Sequence, residues 1–407
     1  MSEYQMMTVL AAFAFVYSVV ASRLEHTPIS GALVYLFIGL ICGPYGLKLI
    51  ELDVDAEELK QLAEFTLALV LFIDSANANI AVLRRVKGIP IRLLLIGLPL
   101  TILLGFGVGC LIFDQLTFFE IALLATMLGP TDATLGQAVV TNKSVPASVR
   151  ESLNVESGLN DGICVPVVLV FLALAAGLVT GNETVGLITR LPIQEIGIGA
   201  TVGIALAVVG SFVLKLSGTH GWITGAWIQV PVIALAMFCF ALSQCLGGSG
   251  FIGSFVGGLV FGGLMKNYKM KEELLSGAEG AGNVFSLLTW FTFGALIFGH
   301  SLHQLSWQVV AYAILSLTLV RIVPVLVCLV GVSMKIDTKL FLGWFGPRGL
   351  ASILFVVMVI DEQLPGNDTL LAVVTWTVAL SVIAHGISAI PLAKIYGTRV
   401  SDRQGVV

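Results

Sequence analysis

The stretch Gly129-Pro130-Thr131-Asp132-Ala133-Thr134, followed by Glu156-Ser157-Gly158-Leu159-Asn160-Asp161-Gly162, places helix breakers and three carboxylates inside segments otherwise apolar enough to cross a bilayer. Ionisable groups at that depth are expensive to hold and by default mark function. The rest of the chain reads as membrane. Of 407 residues, 57% are hydrophobic and 11% charged, with a mean hydropathy of +0.99, whereas soluble domains carry about 25% charged residues.

Working outward, apolar runs between polar breaks predict an all-α polytopic membrane protein of about thirteen spans. They fall at 6–22, 29–47, 59–80, 91–113, 118–140, 148–178, 193–216, 222–246, 250–265, 279–299, 306–332, 338–360 and 370–393. That leaves no room for a soluble domain of ordinary size. The first run lacks a basic n-region and a small-residue cleavage site, so it reads as a retained helix. Six cysteines (Cys42, Cys110, Cys164, Cys239, Cys245, Cys328) sit singly in apolar runs, as packing residues do, and the five histidines show no metal-ligand spacing. His220, His300 and His303 lie near span ends and read as wet interfacial groups. Nucleotide-driven pumping is disfavoured, because no Gly-x-x-x-x-Gly-Lys-Ser/Thr loop is present.

With thirteen spans, the loops on the side of the C-terminus hold sixteen of the 21 basic residues, and the other side holds only Lys48, Lys60 and Arg190. The positive-inside rule then puts the C-terminus in the cytoplasm and the N-terminus outside. The acidic stretches Glu51 to Glu58 and Asp361 to Asp368 fall on the outer side, and Arg321 and Arg348 remain inside spans.

The fifth span contains Gly129-Pro130-Thr131-Asp132; the fifth counted from the eighth is the twelfth, which contains Gly346-Pro347-Arg348-Gly349. Interrupted helices at matching positions predict two inverted six-helix repeats, residues 1–180 and 221–407, joined by span 7 at 181–220, with discontinuous helices crossing near the midplane. The alternative for each Gly-Pro is an ordinary kink. The shared position and the pairing of an acid with a base favour the crossing, since Asp132 suits the N-terminal end of a half-helix and Arg348 a C-terminal end.

On the sixth span, Ser157, Asn160 and Asp161 share a face through i, i+3 and i+4 spacing, with Glu156 and Asn160 on the adjoining stripe. The Asp161 and Asp132 carboxylates, the Ser157 hydroxyl and the carbonyl or hydroxyl of Thr131 are the oxygens a hard cation such as Na⁺ takes. A carboxylate can also exchange a cation for a proton, so one site would hold either ion but not both. The plainer alternative for Asp161 and Asp132 is hydrogen bonding between helices. For Glu156 with Arg321 a structural ion pair is the favoured reading. Glu64, Asp74, Glu120, Glu195 and Glu279 lie near predicted span ends and read as interfacial.

At these residues the chain resembles the NhaP-type cation/proton antiporters, relatives of the sodium/proton exchangers of animal plasma membranes. Glu156 to Gly162 stands where those proteins carry Glu-Ser-x-Leu-Asn-Asp-Gly, and the likeness covers essentially the whole chain. The resemblance implies a homodimer in the lipid bilayer, with a dimerisation domain of spans 1–3 and 7–10 and a mobile core of spans 4–6 and 11–13. It implies that Asp161 is the ion- and proton-binding acid, with Asn160 beside it as in the electroneutral branch. Asp132, Ser157 and Thr131 would complete the Na⁺ site, Glu156 would bridge to Arg321, and Arg348 would be a second arginine in the other broken helix. The chain departs from the pattern at Ala133, where the family usually has proline; here the proline is Pro130. No long cytoplasmic regulatory tail is expected after span 13. The expectation is a secondary transporter, not an enzyme, serving pH and sodium homeostasis. It would exchange Na⁺ or Li⁺ for H⁺ one for one across the cytoplasmic membrane, without a cofactor or a nucleic-acid partner. Its rivals are a K⁺/H⁺ antiporter on the same scaffold, a cation channel and a non-transporting sensor.

Overall fold

A computed structural model describes residues 3–24, 27, 29–49, 56–79, 81–82, 88–132, 135–178, 183–266, 268–360, 362 and 364–404. Arg84, Arg85, Lys87, Ala133, Asp361 and most of the acidic stretch that begins at Glu51 lie outside the described residues. The described residues hold helices and no strand.

The helices are α1 (Glu3–Leu24), α2 (Gly31–Cys42), α3 (Ala56–Asn77) and α4 (Gly88–Ile112), the last with a π-turn at Leu93–Gly97. Next come α5 (Phe118–Met127), a single turn α6 (Gln137–Val140), α7 (Ala147–Ala175), α8 (Glu183–Thr219), α9 (Val230–Cys245) and α10 (Gly250–Leu264). The rest are α11 (Lys271–Gln304), α12 (Trp307–Cys328), α13 (Ile336–Trp344), α14 (Leu350–Ile360) and α15 (Asn367–Gln404). Eight helical stretches are long and apolar enough to span a bilayer, and α2, α5, α10 and α14 are shorter apolar helices. With α3 these give the expected thirteen segments; α6 is the second piece of the broken fifth segment and α13 the first piece of the broken twelfth. The observed helices run past several predicted ends, α11 beginning at Lys271 and α15 continuing to Gln404. One interruption was not expected: α12 breaks its ladder at Thr318 (φ −114°, ψ −89°).

Local chemistry sets the starts. Ser30 and Ser249 accept the N–H of Leu33 and Ile252 at the first turns of α2 and α10. Thr117 and Glu120 form a reciprocal capping box on α5. Position then follows composition. The α14 sequence LASILFVVMVI is apolar on all sides and accordingly buried, with Leu354, Val356 and Val357 fully enclosed against Val373, Val374 and Val378 of α15. By contrast α1 turns large apolar side chains such as Phe15 and Val19 outward. Small residues bring helices close, as Gly258 and Gly262 of α10 do against the α3 backbone at Phe72 and Ala76.

Candidate functional site

The two helix breaks are built differently and meet. After Met127 the chain leaves the helix at Gly129-Pro130, where proline lacks an N–H and restrains the residue before it. At the other break Phe345 (φ −81°, ψ 61°) makes an inverse γ-turn, with Gly346 N–H donating to Trp344 O at 2.8 Å. Pro347 follows, and α14 begins at Leu350. The segments touch through backbone, Asp132 N–H donating to Pro347 O at 2.7 Å.

The buried charge in each break, Asp132 in the first and Arg348 in the second, stands at a helix end of opposite polarity. Asp132 Oδ2 accepts the N–H of Leu350 at 3.0 Å, at the start of α14. Arg348, fully buried, donates from Nη1 to Gly129 O (2.6 Å) and Pro130 O (2.8 Å), just beyond the end of α5. Ser352 Oγ adds a bond to Met127 O at 2.9 Å. Two glycines permit this proximity: a Cβ at Gly349 would collide with the Asp132 carboxylate, and one at Gly346 with the Arg321 guanidinium.

The unbroken α7 supplies the other wall. Ser157 Oγ–H donates to Thr131 O. Asn160 reads the same residue twice, its Nδ2 donating to Thr131 Oγ1 (2.9 Å) and its Oδ1 accepting Thr131 N–H (3.2 Å). The Thr131 carbonyl and hydroxyl, the alternative cation ligands expected from the sequence, thus each accept one hydrogen bond and each keep a further lone pair. Asp161 is 3% exposed, and its Oδ1 has no hydrogen-bond partner among the described residues. Asp132 and Asp74 act on it as neighbouring negative charges. A cavity of ≈ 10 Å³ is lined by Thr131, Asp132, Ser157, Leu153, Phe345 and Pro347 among others; that is about the space one water needs. That cavity offers the Asp132 carboxylate together with Ser157 and Thr131, and the buried Asp161 stands one turn beyond Ser157 on α7, outside the lining.

Glu156 and Arg321 form a bidentate pair at 2.5 and 2.8 Å, each residue 2% exposed. Two acids depart from the interfacial reading. Glu120 is buried because its carboxylate does two jobs: Oε2 accepts Thr117 N–H (2.8 Å) and Oε1 accepts Gly366 N–H (2.7 Å). The Thr-x-x-Glu capping pattern was the signal for it. Asp74 of α3 lies within the field of both Asp132 and Asp161, and its carbonyl accepts Asn154 Nδ2 of α7 at 3.3 Å. Its signal was being the sole acid in the apolar run from Phe65 to Ala78. A third residue passed over in the sequence is His385 of α15, buried beside the second break.

A profile of the family described as "Sodium/hydrogen exchanger, transmembrane" matches residues 9–395. The K(+)/H(+) antiporter NhaP2 of Shewanella sp. (strain ANA-3) is 24% identical over 388 residues, 95% of this chain and 65% of that protein. The probable Na(+)/H(+) antiporter C3A11.09 of Schizosaccharomyces pombe is 28% identical over 365 residues, 81% of this chain and 45% of that protein. The chain thus spans 65% or less of the length of these relatives. The sodium proton antiporter MjNhaP1 of Methanocaldococcus jannaschii shares the fold, with a TM-score of 0.77 at 22% identity over 95% of this chain and 100% of that one.

Proposed function

The chain belongs to the sodium/hydrogen exchanger family, and we propose that it is a secondary antiporter exchanging Na⁺, with Li⁺ as substitute, for H⁺. The observation that carries this reading is the buried Asp161, with an unpartnered oxygen, beside a second carboxylate at crossed helix breaks. In this reading Asp161 binds cation or proton in turn, and Asp132, Ser157 and Thr131 complete the cation shell, the Thr131 oxygens through lone pairs that their hydrogen bonds leave open. Asn160 and Arg348 hold the two unwound segments in place, and Glu156 with Arg321 ties α7 to α12.

Residues 1–180 and 221–407 are the two inverted repeats of this transporter, joined by 181–220. The matching breaks and the Asp132–Pro347 backbone bond support that division. Spans 4–6 and 11–13 form the moving core and spans 1–3 and 7–10 the dimerisation domain of a homodimer. The basic-residue asymmetry supports a cytoplasmic C-terminus in the inner membrane. A second reading, K⁺/H⁺ exchange, draws on the NhaP2 relatives; carboxylate and hydroxyl oxygens do not by themselves sort alkali ions by size.

The test is proton flux in proteoliposomes on adding Na⁺, Li⁺ or K⁺. Sodium- and lithium-driven flux is expected, potassium-driven flux alone would install the second reading, and no ion-driven flux would overturn both. If one site holds either ion, the apparent cation affinity should weaken as pH falls, by up to about tenfold per pH unit where the proton competes. The maximal rate at saturating cation should change far less. A pH-independent affinity would point to separate sites.

The exchange is also expected to be electroneutral. Asn160 cannot bind a proton, and Asp132 stays ionised where it accepts Leu350 N–H at a helix start, so in this reading Asp161 alone takes up and releases the exchanged proton. A membrane potential is worth about 2.3 kcal/mol per elementary charge per 100 mV. It should therefore drive no exchange, whereas a pH gradient should. Steady sodium-dependent current on a supported membrane would show that a second group titrates.

A further inference from the structure

We infer that His385 is a positioning residue of the cation site. It is 1% exposed on α15, its ring packed between Trp344 (centroids 5.1 Å apart) and Phe345 (6.4 Å). Its Nε2 stands 2.8 Å from Trp344 O, and its Nδ1 stands 3.2 Å from Ser381 Oγ and 2.9 Å from Ser381 O. Both nitrogens face a carbonyl, which only accepts, but Nδ1 alone also has a hydroxyl to accept from, so the neutral ring's single proton is assigned to Nε2, donating to Trp344 O, with Nδ1 accepting from Ser381 Oγ–H. The same Ser381 Oγ accepts the backbone N–H of Arg348 at 2.7 Å. The charged groups whose field reaches the ring are Arg348 and Arg321, the latter paired with Glu156.

The consequence is geometric. Ser381 and His385 are one turn apart on α15 and grip the second break on both sides, at Trp344 O before it and Arg348 N–H after it. Between those points lies Pro347, whose carbonyl receives Asp132 N–H. The γ-turn at Phe345 has only one short bond of its own, Gly346 N–H to Trp344 O, and His385 occupies the second lone pair of that oxygen. Without the His385 donor, Phe345 N–H to Phe341 O, Trp344 Nε1–H to Ser388 Oγ and Arg348 N–H to Ser381 Oγ remain, but the hold on Trp344 O is lost, so the 345–347 segment loosens and the backbone that sets Asp132 loosens with it. A loosened site must be ordered each time a cation binds, so affinity falls before the maximal rate does.

This inference rests on the antiport reading for its transport arm only. The variants are His385→Leu, which fills the slot without a donor, and His385→Gln, whose amide reaches a similar distance with an N–H. His385→Leu is expected to raise the KM for Na⁺ on the order of tenfold with a much smaller change in maximal rate, and His385→Gln to restore most of that loss. Ser381→Ala should raise KM too, and the double variant with His385→Leu should be less than additive, because both act on one segment. Cation-dependent elevation of Tm in detergent reads the same affinity without transport, so this arm stands even if no flux is found. Unchanged KM and unchanged cation-dependent Tm shift in His385→Leu would overturn the inference. So would a Gln variant as impaired as the Leu variant at equal Tm, which would make the histidine a packing residue. If His385→Leu does not fold, Ser381→Ala and His385→Gln carry the same comparison.

Discussion

Asp161→Asn is expected to reduce cation-dependent proton movement to the background of protein-free vesicles while leaving a folded protein. The amide is nearly isosteric, and the replaced carboxylate's Oδ1 makes no hydrogen bond within the described residues that the change would break. The amide nevertheless cannot carry the exchanged proton, nor does it offer a negative charge to a dehydrated cation. Asp132→Asn should also be severe, for a different reason. Its amide oxygen can still accept Leu350 N–H, but the cation loses one of two counter-charges, so the main loss should appear in KM. The measurement is sodium-driven alkalinisation in proteoliposomes, with circular dichroism and elution volume as controls on folding. Retention by Asp161→Asn of more than a few per cent of parent exchange would remove Asp161 from the role assigned to it.

Much of this fold was legible because a bilayer enforces simple rules: spans must be apolar, backbone polar groups must be satisfied, and interruptions stand out against a uniform background. The Gly-Pro breaks at 129–130 and 346–347 and the isolated charges Asp132, Arg348, Glu156 and Arg321 were visible for that reason. Their partners were visible only in type. That Glu156 would meet Arg321 followed from the need of each for an opposite charge, and their 2.5 Å bond agrees. That Arg348 would grip the carbonyls of Gly129 and Pro130 follows from two extended backbones crossing, which no local pattern encodes.

The residues passed over had weaker signals. Asp74 sits near a helix end, where an acid is ordinarily hydrated, and only the packing of α3 beside α7 and α14 brings it into the field of the site. His385 lies in an apolar stretch of α15 with no ligand spacing, and its partners Trp344 and Phe345 are some forty residues upstream. The break at Thr318 itself carries neither glycine nor proline, and its one local signal, Pro324, lies six residues further along α12.

Arg321→Ala is expected to lower stability by roughly 3–5 kcal/mol, because it leaves the Glu156 carboxylate charged and unpaired in a dry interior. The pair is bidentate, with Nη1 to Oε1 at 2.5 Å and Nη2 to Oε2 at 2.8 Å, and neither residue has appreciable contact with solvent. Glu156→Ala should be comparably weak, since it strands the guanidinium, whose Nε already has no partner among the described residues. The geometry adds a functional consequence. Glu156 precedes Ser157 on α7, and the guanidinium lies against Gly346 in the second break, so the pair joins α7, α12 and the segment that carries Pro347. Losing it should lower Tm and transport together. Replacing both partners with apolar residues of similar volume, as in Glu156→Leu with Arg321→Met, should recover part of the stability, since no charge is then left buried. It should recover less of the transport, because the bond that registers α12 against α7 is not replaced. Thermal unfolding in detergent alongside sodium-driven flux separates the two effects. A single variant as stable as the parent would mean that water reaches the pair, and a double variant that regains full exchange would mean that its role is stability alone.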